Sequence, residues 1–550
     1  MRTTCAAVAV AAAAACAPRA PAAPTPAPVP PVVVEHIPPP PPNPNLPPVP
    51  HVTGPLAVKV VYPTVNQTIL SKDSNFIFGS VGNGDAALAI NEVSVPVWPN
   101  GSFMAWLANP PASAPQYELV ATAGADTVRL THPIKLAPPP PPIATSADTL
   151  RLAPPLYATL VGPATAPSDT DRVVTGYALS GGLRRWFLFP GTVVKVVALT
   201  AGDAYVELDS TLTIRIARND LQMLSPVPGD PAKTASATTS ATPSADVPPP
   251  VAARLASDLR VVPAAEWTDF VIPVSEKPAH LIEEDSTGAT LTLTLYGTAG
   301  MASPSIAVTA PNSYVTSYTA ATAGPSMRYV FSLKGPVYGY QPLWESGAFL
   351  LRVRRPPAID LIDPLRGLTI AVDAGHPPLG ATGPTGLWEP EVALPVAQKI
   401  QTLLTARGVN VFMTRTTMDS VNLNLRPAMA RRVNANALVS IHLNAVPDGI
   451  NPFRAQGTAT YHFHTHSRAL AEATQRALVA ELSLPDNGVK RENFALVRPT
   501  WMPAILTEGA FIIMPDQEAA LRTEEYQLRY ARGIVAGLDA YFRSLGAVAR

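Results

Sequence analysis

Proline sets the first limit on how this chain folds. It removes a backbone donor and fixes φ, so neither a helix interior nor a central strand runs through a proline cluster. The 64 prolines are not spread evenly. They crowd Pro18–Pro50, Pro138–Pro142 and the Pro/Ala/Ser/Thr mixture of Ser225–Pro250. A chain of 550 residues cut in this way reads as several folded units joined by linkers. The 18–50 stretch favours polyproline II, which at about 3.1 Å per residue gives a tether of roughly 100 Å.

Ahead of that tether, Arg2 is followed by an Ala/Val run over Ala6–Ala15, of signal-peptide length and too short for a membrane anchor. Ala13-Ala14-Ala15-Cys16 resembles a bacterial lipoprotein processing box, although the usual Leu three residues before the Cys is missing. The expectation is export with a lipid on Cys16; plain signal cleavage near Ala15 or Ala20 is the alternative. Cys5 and Cys16 are the only cysteines, so the chain beyond residue 16 forms neither a disulfide nor a Cys-ligated metal site. A formal net charge of zero, with 15% charged residues, excludes the basic footprint of a nucleic-acid binder.

The expected organisation is a signal segment at 1–16, a tether at 17–54, three small β-domains at 55–137, 150–224 and 257–357, a linker at 225–256, and a C-terminal domain at 366–545. The first β-domain has short strand-like runs around Gly82-Asn83-Gly84-Asp85 and Pro99-Asn100-Gly101, a pattern suited to an immunoglobulin-type sandwich. The second reads as a compact SH3-like barrel. The third holds the clearest period-2 pattern, with leucines facing a core and threonines solvent over Thr290–Tyr296.

The C-terminal domain changes character. Apolar strands at Leu368–Val372, Val409–Thr414, Leu438–His442, Thr458–Phe463, Phe494–Val497 and Ala504–Thr507 alternate with helices at Val392–Ala406, Arg426–Asn434, Leu470–Leu482 and Glu524–Phe542. That alternation predicts a mostly parallel sheet covered by helices on both faces. In such sheets sites form beyond the carboxyl ends of strands, where His376, His442 and Glu508 fall. Ser440 and Asn444 flank His442 with polar groups that could support the imidazole. Glu389 and Glu391 both open a helix, where a carboxylate is stable without a metal. Glu508 stands in the otherwise apolar Pro503–Phe511, and a buried carboxylate is costly unless paired or functional. Two histidines and one carboxylate form the ligand set of a catalytic zinc with an open position, and a second glutamate would move its protons.

On these residues the last third resembles the zinc-dependent N-acetylmuramoyl-L-alanine amidases, which cut peptidoglycan between muramic acid and L-alanine. The matching segments are Val372-Asp373-Ala374-Gly375-His376, Glu389–Leu394, Thr414-Arg415, Leu423–Arg426, Ser440–Ala445, Gly488–Val497 and Pro503–Phe511. The resemblance implies zinc on His376, Glu389 and His442, with Glu508 as the catalytic carboxylate, and it selects Glu389 over Glu391. It departs at Pro377-Pro378, where the family has a glycine, and at Gly509-Ala510-Phe511. The third β-domain resembles the wall-targeting domain, of AMIN type, that precedes such amidases. Implied partners are peptidoglycan, a membrane through Cys16 and a protein activator; the implied location is the periplasm or envelope, anchored to the outer membrane.

Arg415, Arg426, Lys490 and Arg498 are candidate contacts for an acidic stem peptide, alongside surface or packing roles. His462, His464 and His466 share a face at strand spacing. They read as a polar rim near the substrate groove, with no carboxylate nearby, rather than as a second metal site. Two rival functions remain: a zinc carboxypeptidase, whose first His and Glu stand three apart rather than thirteen, and a catalytically silent wall-binding or amidase-regulating protein.

Overall fold

The computed structural model describes residues 43–138, 149–162, 173–180, 185–227, 254–285, 288–311, 313–360 and 362–548. The signal segment, Cys16, most of the tether and most of the 225–250 linker lie outside the described residues. Among the described helices, none is long and apolar enough to cross a membrane.

The first β-region has sheets of three and four strands and a two-stranded pair, Thr68–Ile69 with Lys135–Leu136, around one core that includes Ile77, Phe103, Tyr117 and Leu119. The second has a single seven-stranded sheet. Its pairings are antiparallel, and none joins Trp186–Leu188 to Leu221–Met223 at its two edges. The third has sheets of four and five strands and a two-stranded pair, Arg254–Leu255 with Thr298–Ala299; in its alternating segment Leu291, Leu293 and Leu295 are fully buried. Thr290 and Thr292 are half-exposed but Thr294 is buried.

The C-terminal region is built from β1 (Thr369–Ala374), α1 (Glu389–Thr405), β2 (Asn410–Met413), α2 (Leu425–Arg432), β3 (Ala437–Asn444), β4 (Thr458–His462), α3 (Arg468–Leu482), β5 (Asp486–Arg491), β6 (Ala504–Phe511), α4 (Pro515–Leu521) and α5 (Glu524–Val548). The sheet order is β2-β1-β3-β6-β4-β5. Strands β2, β1, β3 and β6 are mutually parallel, β4 runs antiparallel to β6, and β5 follows β4 in parallel. The sheet is therefore mixed.

Strand periodicity sorts the two faces. Ile370, Val372 and Ala374 join the core formed with α1, α3 and α5, whereas Ala371 points to the opposite face. That second face is covered by α2 and by Trp267 of the third β-region, so the helices are unequally divided. Phe494–Val497, expected as a strand, contains a 3-10 turn at Ala495–Val497.

The β-regions pack on this domain. Tyr62, Phe76, Phe78, Met104 and Trp106 extend its core. Asp448, in the loop after β3, accepts hydrogen bonds from the Tyr62 hydroxyl, the Leu70 N–H and the Asn75 amide. Residues at the end of the expected tether are docked too. Leu46 is buried, and Asn43 donates to the Ser483 carbonyl at 2.7 Å.

Candidate metal centre and active site

The parallel strands bring the singled-out residues together. His376 lies just past β1, His442 within β3 and Glu508 within β6, where it is the register partner of His442. Glu389 opens α1 and is nearly fully buried. Its Oε2 lies 3.2 Å from His376 Nε2 and its Oε1 lies 3.0 Å from His442 Nδ1. One ligand atom from each of the three lies within 4.8 Å of the others, the one such convergence among the described residues.

Backbone donors hold the carboxylate. Oε1 accepts the Leu443 N–H at 3.0 Å, and Oε2 the Ala381 N–H at 2.9 Å. Burial opposes the charge on Glu389, but the two imidazole bonds outweigh it and hold the carboxyl well below the usual range. Burial likewise opposes a charged His376, while the bond to Glu389 raises it above its ordinary value.

The turn that presents His376 is held by two buried guanidinium groups. Arg415 donates to the carbonyls of Ala374 and Gly375, both at 2.8 Å. Arg426 donates to the carbonyls of Ala374, His376 and Pro377 and pairs with Asp373 at 3.1 Å. Both arginines hold the turn rather than face the groove. Gly375 is required by close approach, since a Cβ there would lie 2.5 Å from His442 Cε1. Ser440 does not support His442; its hydroxyl donates to Asp373 at 2.6 Å.

Glu508 is half-buried, and its Oε2 is buried with no hydrogen-bond partner among the described residues. Burial and the Glu389 charge push its carboxyl well above the usual range, and the Lys490 charge opposes them. Lys490 lies beside Tyr461, with Nζ donating to Asn487 at 3.0 Å. Arg498 is engaged elsewhere, donating to Asn493 and lying over the Phe187 ring.

The three further histidines are not a rim of this site. Because β4 is antiparallel to β6, its carboxyl end lies by Ala504, at the other end of the sheet from Glu508. They also have a carboxylate: Glu284 of the third β-region accepts the His466 N–H at 2.7 Å and contacts His466 Nδ1 at 2.8 Å. Sequence reading had no signal for a residue so distant in the chain.

A mixed α/β domain with two histidines and a carboxylate converging beside an unpartnered glutamate defines an α/β protein with a candidate metal centre. Residues 370–540 match the N-acetylmuramoyl-L-alanine amidase family, and the chain belongs to it. It is 34% identical over 207 residues to the uncharacterized protein YqiI of Bacillus subtilis, covering 36% of this chain and 98% of that protein. It is 34% identical over 192 residues to the N-acetylmuramoyl-L-alanine amidase LytC of the same organism, covering 34% of this chain but only 38% of LytC. Among solved structures, the amidase AmiC2 of Nostoc punctiforme is similar at 32% identity, with 32% of this chain and 96% of that chain covered and a TM-score of 0.30.

Proposed function

We propose that this protein hydrolyses the amide bond between N-acetylmuramic acid and L-alanine in peptidoglycan, using zinc. The observation that carries the reading is the convergence of His376, Glu389 and His442 within 4.8 Å beside the unpartnered Glu508 Oε2. The donor set fits zinc: two imidazole nitrogens and one carboxylate, with backbone N–H groups already fixing that carboxylate. When bound there, the metal would polarise the scissile carbonyl and lower the pKa of an attacking water.

Glu508 would act as general base and then general acid. Its carboxylate takes a proton from the water as oxygen bonds to the carbonyl carbon. It returns that proton to the L-alanine nitrogen as the C–N bond breaks, leaving a muramic carboxylic acid that ionises to the carboxylate as the freed peptide amine takes up its proton. Arg415 and Arg426 hold the His376 turn, and Lys490 would meet a stem-peptide carboxylate. The protein would act outside the cytoplasm, tethered through Cys16; Cys16→Ser should move it from the membrane to the soluble fraction.

The decisive experiment measures bound zinc and the release of stem peptides from purified peptidoglycan. His442→Ala should lose both. Glu508→Gln should keep zinc and lose about 10²–10⁴-fold in turnover. Full zinc in the first variant, or near-normal release by the second, would overturn these assignments.

A further inference from the structure

One buried carboxylate has no part in the chemistry above. Glu518 lies in α4, fully buried. Its Oε1 accepts the Thr385 N–H at 3.0 Å, the Thr385 hydroxyl at 2.9 Å and the Leu387 N–H at 3.1 Å. Its Oε2 shares the Thr385 N–H at 3.0 Å. These donors belong to the loop joining β1 to α1, the loop that delivers Glu389.

The loop is closed at its ends as well. Gly383 N–H donates to the Leu387 carbonyl and Glu389 N–H to the Ala381 carbonyl, both at 2.9 Å. Thr382 and Trp388 form an isolated bridge. Ala381 in turn donates its N–H to Glu389 Oε2. The pair that closes the loop thus fixes the carboxylate facing His376. Gly383 is pressed onto the anchor: a Cβ there would lie 2.6 Å from both Cδ and Oε1 of Glu518. An irregular loop has few internal bonds to hold a shape, whereas a buried acceptor collecting its donors gives it one arrangement.

We propose that Glu518 is a positioning residue for the metal centre: it anchors the 381–388 loop from inside and so sets where Glu389 meets His376 and His442. The inference rests on the zinc reading of that centre. A purely structural role predicts lower thermal stability with unchanged zinc affinity in the folded protein. A positioning role moves the affinity and the coordination environment themselves.

The test uses the full chain with Glu518→Ala, Glu518→Gln and Gly383→Ala. Zinc dissociation constants come from chelator competition, coordination from the visible spectrum of the cobalt(II)-substituted protein, and folding from circular dichroism. Glu518→Ala and Gly383→Ala should weaken zinc by about 10–100-fold, the range for outer-shell partners, and alter the cobalt spectrum. Glu518→Gln keeps an acceptor oxygen toward Thr385 and Leu387 and should restore most of the affinity. Where Glu518→Ala does not fold, Gly383→Ala decides, because it keeps the carboxylate and forces it and the loop apart. Parental affinity and spectrum in folded Gly383→Ala would overturn the inference. A parent protein that binds no zinc would instead overturn the proposed function.

Discussion

Asp373 ties four parts of the catalytic domain with one side chain. Fully buried, it accepts hydrogen bonds from the Thr414 hydroxyl at 2.5 Å and the Ser440 hydroxyl at 2.6 Å, and it pairs with Arg426. Arg426 is itself buried and holds the carbonyls of His376 and Pro377. Removing one partner of a buried pair leaves the other charge uncompensated, so Asp373→Ala should cost about 3–5 kcal/mol in urea unfolding. A loss below about 1 kcal/mol, the value of a surface pair, would show that the guanidinium is solvated after all. At this scale the sequence was readable where chemistry is local. An acid in an apolar run singled out Glu508, but the same criterion does not isolate Glu518, which follows Asp516 and Gln517 directly. The partners of Glu284 were not readable, because nothing in one strand announces a carboxylate arriving from a separate sheet.

Among the elements, alternation predicted the parallel strands and their helices, yet the direction of β4 was missed. An apolar strand reads the same in either direction. What reverses β4 is that no helix separates it from β3 on the way back: the connection from Asn444 to Thr458 is a loop pinned at Asp448 by the first β-region. Helix α2 was expected from the alternation of strands and helices, but not what holds the turn after it. The carbonyls of Asn434 and Ala435 just beyond it accept the buried guanidinium of Arg354, at 3.0 and 2.7 Å, which also lies over the Trp501 ring. The helix closes on its own backbone, with Val433 N–H donating to the Met429 carbonyl and Asn434 N–H to the Arg431 carbonyl, so Arg354 holds the turn that follows it. Arg354→Ala should therefore destabilise the catalytic domain by about 2–3 kcal/mol, as for hydrogen bonds to a charged group. It should also open the 355–358 segment to limited proteolysis. An unchanged digestion pattern together with an unchanged unfolding midpoint would contradict that anchoring role.

Across the whole molecule, the second and third β-regions and the catalytic domain meet at a cavity of about 440 Å³, lined in part by Arg185, Glu283, Glu284, His464 and Arg491. His280 is buried and His464 half-buried there, and loss of water around them pushes both imidazoles down to about 4. Tyr340, His466, Arg491 and the Arg498 carbonyl surround His464 and Glu284. Burial opposes the Glu284 charge, but His466 outweighs it and holds that carboxyl below its ordinary value. The signs agree. The unfolded chain takes up protons on these histidines below about pH 6.5, and the folded chain only near 4, so stability falls across that window as pH drops. Glu284 contributes above the carboxylate range and loses its contribution as pH falls through it. At about 1.4 kcal/mol per pH unit for each histidine, the junction should lose a few kcal/mol between pH 6.5 and 4. Unfolding midpoints of the full chain measured across that range should fall steeply, and His464→Gln should flatten the slope by about one proton. A slope that the variant leaves unchanged would mean that the acid sensitivity resides elsewhere and that the three units meet without His464 titrating between them.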